Sequence, residues 1–126
     1  MIIGVGIDAV NIDRFARWKD NPRLFNRFFH HKEIETAEKR GKMKIHSLAA
    51  RFAAKEAFGK ALGTGLAGFS LKECAVLNNS RGKPDLVLHG KAKQAFEAIG
   101  GNKLFVALTH EHDYAIAVVI IEGKDE

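Results

Sequence analysis

The sequence predicts an α+β fold, an antiparallel sheet packed with one long helix and several shorter ones, on three observations. Strand-like and helix-like stretches are mixed without the regular alternation that builds a parallel sheet. Two pairs of strand-like runs flank short turn-rich segments, which reads as two hairpins. Residues 45–62 carry the longest helical pattern in the chain, rich in Ala, Leu, Phe, Lys and Glu.

Taken in order, residues 2–7 are an apolar, Gly-containing run that predicts a buried strand ending at Asp8, where the chain turns towards helix. The spacing of Ile12, Phe15 and Ala16 is helical, and Asn21 before Pro22 reads as an N-cap and first helical position for a short helix over 22–29. Residues 32–40 predict a mostly polar helix stopped at Gly41. The long helix of 45–62 is closed by Gly63, and the small-residue loop GTGLAG follows. Residues 73–77 and 85–89 predict strands joined by the turn NNSRGKP, and 91–99 another helix stopped by Gly100 and Gly101. Strands over 104–108 and 114–121 then flank the turn HEHD, and residues 123–126 read as a frayed end.

A chain of 126 residues suits a single domain with one core. Its 46% hydrophobic and 28% charged residues are those of a globular protein rather than a disordered one. The longest apolar stretches fall far short of the ~20 residues that span a bilayer. With no basic leader after Met1 and a lone Cys74 that has no partner for a disulfide or a structural zinc site, the expected compartment is the cytoplasm. Twenty Lys and Arg against 15 Asp and Glu leave a formal charge of +5, which favours an anionic partner without naming one.

Two carboxylates stand out. On a helical wheel Glu56 falls between Ile45, Ala49, Phe52 and Ala53, at the centre of an apolar face, where a charge needs a cation, a metal or hydrogen-bond donors. An i,i+4 ion pair with Lys60 would satisfy it, and so would a metal. Asp8 sits at a strand-to-helix turn, where aspartate is either a cap or a functional group. Together the two suit Mg²⁺, which accepts one or two carboxylates and keeps oxygens of water and phosphate. After Lys60, ALGTG offers backbone amides to a phosphate, although its order is not that of a P-loop and it serves equally as a helix stop. None of the six histidines has the spacing of a zinc-protease site.

Three separated motifs coincide with one family. GIDAVNIDR at residues 6–14, RFAAKEAFGKALGTG at 51–65, and GKP at 82–84 followed by THEHDYA at 109–115 resemble, in this order, the holo-acyl-carrier-protein synthases of the 4'-phosphopantetheinyl transferase family. The resemblance implies the fold of that family over residues 1–126. It also implies transfer of the 4'-phosphopantetheine group from coenzyme A to a serine of an acidic acyl carrier protein, as a step of fatty acid biosynthesis. It implies Asp8 and Glu56 as Mg²⁺ ligands and Lys60 as the phosphate-binding lysine. Arg51, Gly63, Thr64, Gly65, Pro84 and His110 are similar to positions lining the coenzyme A cleft. The partners it implies are the carrier, coenzyme A and two further copies in a homotrimer with active sites between subunits. Carrier docking falls to Arg14, Arg17, Arg23 and Arg27, a basic stretch with Lys19 and only Asp13 and Asp20 as acids, with Phe25 or Phe28 as apolar anchor. A nucleic-acid-binding module is the rival reading of the charge, and it leaves Glu56 without a purpose. Neither nucleic acid nor membrane is an expected partner.

Overall fold

A computed structural model describes residues 1–125 of the chain. Strand β1 (Ile2–Asn11) leads into three short helices, α1 (Ile12–Ala16), α2 (Pro22–Phe28) and α3 (His31–Glu38). After a single 3-10 turn comes the long helix α4 (Lys44–Leu62). The hairpin β2 (Cys74–Asn78) and β3 (Pro84–Leu88), helix α5 (Gly90–Ala98), and the long strands β4 (Gly101–His110) and β5 (Tyr114–Gly123) complete the order. β5 runs between β1 and β4, antiparallel to both, with Asp8 opposite Ala117 and Val106 opposite Val119. β2 and β3 form a separate antiparallel pair. The α+β expectation therefore holds, down to both hairpins.

The sheet lies against α4 because the period of two in β5 turns Ala115, Ala117, Val119 and Ile121 inward, all of them buried. β1 approaches more closely still. A methyl group placed on Gly6 would collide with the carbonyl oxygen of Ala57, and one on Gly4 with that of Ala61, so the missing side chains let strand and helix touch backbone to backbone. Ala49, Ala53, Ala57 and Ala61, spaced four apart, give the matching small surface on α4. A second cluster joins Phe15, Phe25 and Phe29 of the early helices to Leu48 and Ala49 at the start of α4, with Trp18, Phe28 and Phe52 packed on its edge. At the helix end Gly63 takes the left-handed conformation, φ +88°, and its N–H returns to the Lys60 carbonyl.

Three sequence expectations are corrected. β1 does not stop at residue 7 but pairs on to Asn11 opposite Tyr114, since Ala9 and Val10 continue the ladder. Asp8 therefore lies inside a strand, and the cap of α1 is Asn11, whose side chain accepts from the Arg14 N–H at 2.9 Å. The chain end does not fray at residue 123: Gly123 is buried in β5 and donates to Met1 O at 2.7 Å, while Lys124 and Asp125 lie beyond the strand and are exposed, Asp125 meeting the N-terminal ammonium at the surface. Glu126 lies outside the described residues.

Helix α3 has an unusual cap. His30 Nδ1 accepts from the Lys32 N–H at 3.2 Å while the His30 N–H donates to Glu33 Oε1 at 3.0 Å. Only a neutral imidazole accepts in this way, and burial, followed by the charge of His31, holds His30 below its ordinary 6.5. Because the folded value is the lower one, stability is complete above that range. It falls as the pH drops and the unfolded chain takes up the proton first. The expected result is a melting temperature that declines between about pH 7 and pH 5, and declines less in His30→Asn, whose side chain caps without titrating. Equal declines in both proteins would place the acid sensitivity elsewhere.

Candidate active site

The close approach at Gly6 brings Asp8 of β1 beside Glu56 and Lys60 of α4. Lys60 Nζ donates to Asp8 Oδ1 at 2.9 Å and to the Ile7 carbonyl at 3.0 Å. The ion pair expected between Glu56 and Lys60 is not the one that forms, because Asp8 reaches the ammonium instead. Nor is Glu56 at the centre of a buried face. α4 is wrapped on almost every side, and Ile45, Phe52, Glu56 and Lys60 form the stripe left most open. Glu56 is half-buried there. Burial first, and the neighbouring charge of Asp8 second, raise its carboxyl above the ordinary range, with Lys60 acting in the opposite sense. The hydrogen bond and the charge of Asp8 raise the exposed Lys60 ammonium, so it stays a cation.

The two carboxylates open into a cleft of about 440 Å³ that is lined on its other wall by Arg14, Phe15, Trp18 and Phe52. One end is anionic and the other aromatic. Arg14, Arg17, Arg23 and Arg27 are all exposed along α1, α2 and the turn between them. Phe25 is not: it is 7% exposed and stacks against Phe15 with ring centroids 5.7 Å apart, so it belongs to the core and cannot also anchor a partner. The half-buried aromatic residues on that side are Phe28 and Trp18.

The residues expected to line a coenzyme A cleft fall in two places. Arg51 lies five residues before Glu56, which turns it about 140° around the helix and about 7.5 Å along it. It enters a second cleft of about 180 Å³ with Pro84 and His110. Arg51 is 4% exposed, donates to Ser47 Oγ at 2.7 Å and to Asn78 Oδ1 at 3.1 Å, and leaves its Nε without a partner among the described residues. Burial lowers its pKa, and the nearby Arg40 acts in the same direction. Gly63, Thr64 and Gly65 follow Lys60 instead, in a loop folded back so that the Gly65 N–H donates to the Gly59 carbonyl at 3.0 Å. Arg40, Ser47 and Asn78 line the second cleft without having been singled out in the sequence. Their one signal is adjacency to residues that were: Ser47 precedes Arg51 by a turn, and Asn78 opens the turn that carries Pro84.

Among the described residues no three of His, Cys, Asp and Glu gather into a metal cage. What the first cleft does offer fits a hard, hydrated divalent cation. Two carboxylates are close enough to repel, one of them is already pushed towards its neutral form, and the rest of the coordination is open to water and substrate oxygens.

The family model of the 4'-phosphopantetheinyl transferase superfamily matches residues 4–119. A holo-acyl-carrier-protein synthase of Treponema pallidum (strain Nichols) is 53% identical over 124 residues, 98% of both chains. The crystal structure of the synthase of that name from Neisseria meningitidis superposes with a TM-score of 0.87 at 32% identity, covering 97% of this chain and 99% of the other. The Bacillus anthracis enzyme in complex with coenzyme A (3',5'-ADP) gives 0.80 at 31% identity, over 98% and 99% of the two chains. Identity of this extent, together with the same fold end to end, means that the chain belongs to the holo-acyl-carrier-protein synthases of the 4'-phosphopantetheinyl transferase superfamily.

Proposed function

We infer that the chain transfers the 4'-phosphopantetheine group of coenzyme A to a serine of apo-acyl carrier protein, releasing adenosine 3',5'-bisphosphate, the step that prepares the carrier for fatty acid biosynthesis. The observation that carries this reading is the pairing of Asp8 with Lys60 next to Glu56, in a chain related over its whole length to holo-acyl-carrier-protein synthases. The carrier hydroxyl attacks the β-phosphorus, the bond from that phosphorus to the bridging oxygen breaks, and negative charge grows on the departing bisphosphate. Such a reaction needs placed positive charge and no protein nucleophile. Lys60, a cation kept in place by Asp8, supplies it from the protein. In the adjoining loop the Gly63 and Gly65 N–H groups return to the Lys60 and Gly59 carbonyls and shape the chain, so the amide assigned as the further phosphate donor is that of Thr64.

Asp8 and Glu56 are assigned as holding Mg²⁺, which when bound neutralises phosphate oxygens. Arg51, Pro84 and His110, with Arg40, are assigned to the phosphoadenosine end of coenzyme A. The acidic carrier is assigned to exposed Arg14, Arg17, Arg23 and Arg27, with Phe28 and Trp18 as the apolar contact. The assay is incubation with an apo carrier, coenzyme A and Mg²⁺, read by intact mass of the carrier. The expected result is gain of the phosphopantetheine mass, lost on chelation of divalent metal. Absence of the gain overturns the function, and transfer unaffected by chelation overturns the metal assignment alone.

A homotrimer with active sites between subunits is supported by two observations. The outer face of the long sheet exposes Val5, Ile7 and Phe105 at 58%, 62% and 47%, an apolar surface of the kind a partner covers. The residues assigned to the reaction are spread over α4, with Asp8 and Glu56 in the first cleft, Lys60 and Gly63 to Gly65 at the helix end, and Arg51, Pro84 and His110 in the second cleft, an arrangement in which one chain does not bring all the parts together and a ring of copies supplies the means. Light scattering is expected to give about three times the 13.9 kDa chain mass, and a fully active monomer at assay dilution would refute the ring. Residues 1–126 are assigned to one transferase domain working in the cytoplasm. That compartment is supported by the buried, lone Cys74.

A further inference from the structure

The coenzyme A reading gives no role to His46, the imidazole that touches His110. His46 stands in the first turn of α4, next to Ser47, whose hydroxyl accepts from Arg51. Its ring centroid is 5.4 Å from that of His110 at the end of β4, with the planes inclined at 58°. His46 Nδ1 is buried and has no hydrogen-bond partner among the described residues. The helix start and the strand end thus bring two imidazoles together, and one of them, His110, lines the second cleft with Arg40 and Arg51. His110 is exposed and is the last residue of its strand, so the angle of its ring is set by what packs on it.

We propose that His46 is a positioning residue for the coenzyme A cleft: its imidazole backs that of His110 and fixes the angle at which His110 faces an anionic group held between Arg40 and Arg51. The proposal rests on the assignment of this cleft to coenzyme A. A tilted pair at this centroid distance is in the favourable range for ring contacts. An exposed side chain that must otherwise be ordered when ligand arrives lowers affinity by the freedom it loses, and a ring already held in place escapes that loss. The second cleft is on another side of α4 from Asp8, Glu56 and Lys60, so the contribution belongs to binding of coenzyme A and not to the chemical step. The effect is therefore a change in KM for coenzyme A with little change in kcat.

Steady-state kinetics of the full chain, with coenzyme A varied at saturating apo carrier, test this in the wild type, His46→Ala, His46→Gln and His46→Phe. Both ringless variants are expected to raise KM for coenzyme A about three- to tenfold, the scale of one lost ring contact, with kcat within about twofold of wild type. His46→Phe, which keeps a flat ring, is expected to restore KM to within about twofold. His46→Gln keeps the bulk and polarity of the position and carries the test if His46→Ala does not fold. Unchanged KM in folded ringless variants, a fall in kcat in place of the KM change, or a His46→Phe protein as weak as the ringless ones overturns the inference while the functional reading stands. A folded wild type that shows no transfer overturns the functional reading and this inference with it.

Discussion

Glu56→Gln is expected to abolish divalent-dependent transfer, lowering kcat by about 10³ or more at saturating coenzyme A, the upper end of what a single group stabilising transition-state charge supplies. The protein should remain folded and as stable as wild type. Glu56 as a carboxylate is unfavourable in the free protein, since burial and Asp8 both raise its pKa, and the neutral amide removes that repulsion without changing the shape. Asp8→Asn is expected to show a similar loss, again with small effect on stability. Its ion pair to Lys60 is largely exposed on the lysine side, and such pairs contribute little in water. Lys60→Ala should fall by a smaller factor, about 10², because it withdraws one donor and leaves the carboxylates in place. Loss of activity without loss of stability distinguishes a site residue from a structural one. A Glu56→Gln protein that keeps its turnover removes the ligand assignment. One that unfolds while its folded fraction stays active shows that the side chain is there for packing.

Much of this was legible from residue order because the informative features are local. The helix of 45–62 is written in its composition and closed by Gly63, and the turn between β2 and β3 is written in NNSRGKP. In that turn the Asn79 side chain accepts from the N–H groups of Arg81 and Lys83. The α+β class followed from those pieces. What failed depended on contacts between distant residues. A wheel places Glu56 mid-face because it treats apolar neighbours as the buried side, yet α4 is buried nearly all round and the open side is decided by where β1 and α1 lie. The partner of Lys60 is 52 residues away, beyond any i,i+4 rule. Phe25 looked available because its helix is basic and short, whereas the ring faces inward onto Phe15 and Phe29. The motif glycine Gly6 is explained only once Ala57 is seen against it.

The largest stability effect is expected at a residue of the 51–65 motif that was not singled out for any role. Lys55, next to Glu56 on α4, is fully buried and meets Glu33 Oε1 at 2.8 Å, with both side chains 0% exposed. Its ammonium also donates to the carbonyls of Leu71 and Cys74, at 2.9 and 2.7 Å, and lies 5.4 Å from the centre of the Phe29 ring. Glu33 in turn accepts from the N–H groups of His30 and Val76, both at 3.0 Å. One ion pair thereby ties α3, α4, β2 and a second 3-10 turn, Leu71–Glu73, just before β2, with every charge-bearing atom satisfied. Lys55→Met keeps the bulk but leaves a buried carboxylate without a cation and two carbonyls without donors, a loss of about 3–5 kcal/mol. Against the roughly 5–15 kcal/mol that holds a domain of this kind together, that is about a fifth of the total or more. The urea midpoint should fall accordingly with the slope unchanged. The double variant Glu33→Leu, Lys55→Met should be more stable than Lys55→Met alone, because it removes the stranded charge, and the cycle should give a coupling of about 1–3 kcal/mol. A Lys55→Met protein within about 1 kcal/mol of wild type would mean that water reaches the pair and that the four elements are held by their apolar contacts. In that case α3 and β2 could shift without disturbing α4, and Glu56 would owe its position to Gly6 and the sheet alone.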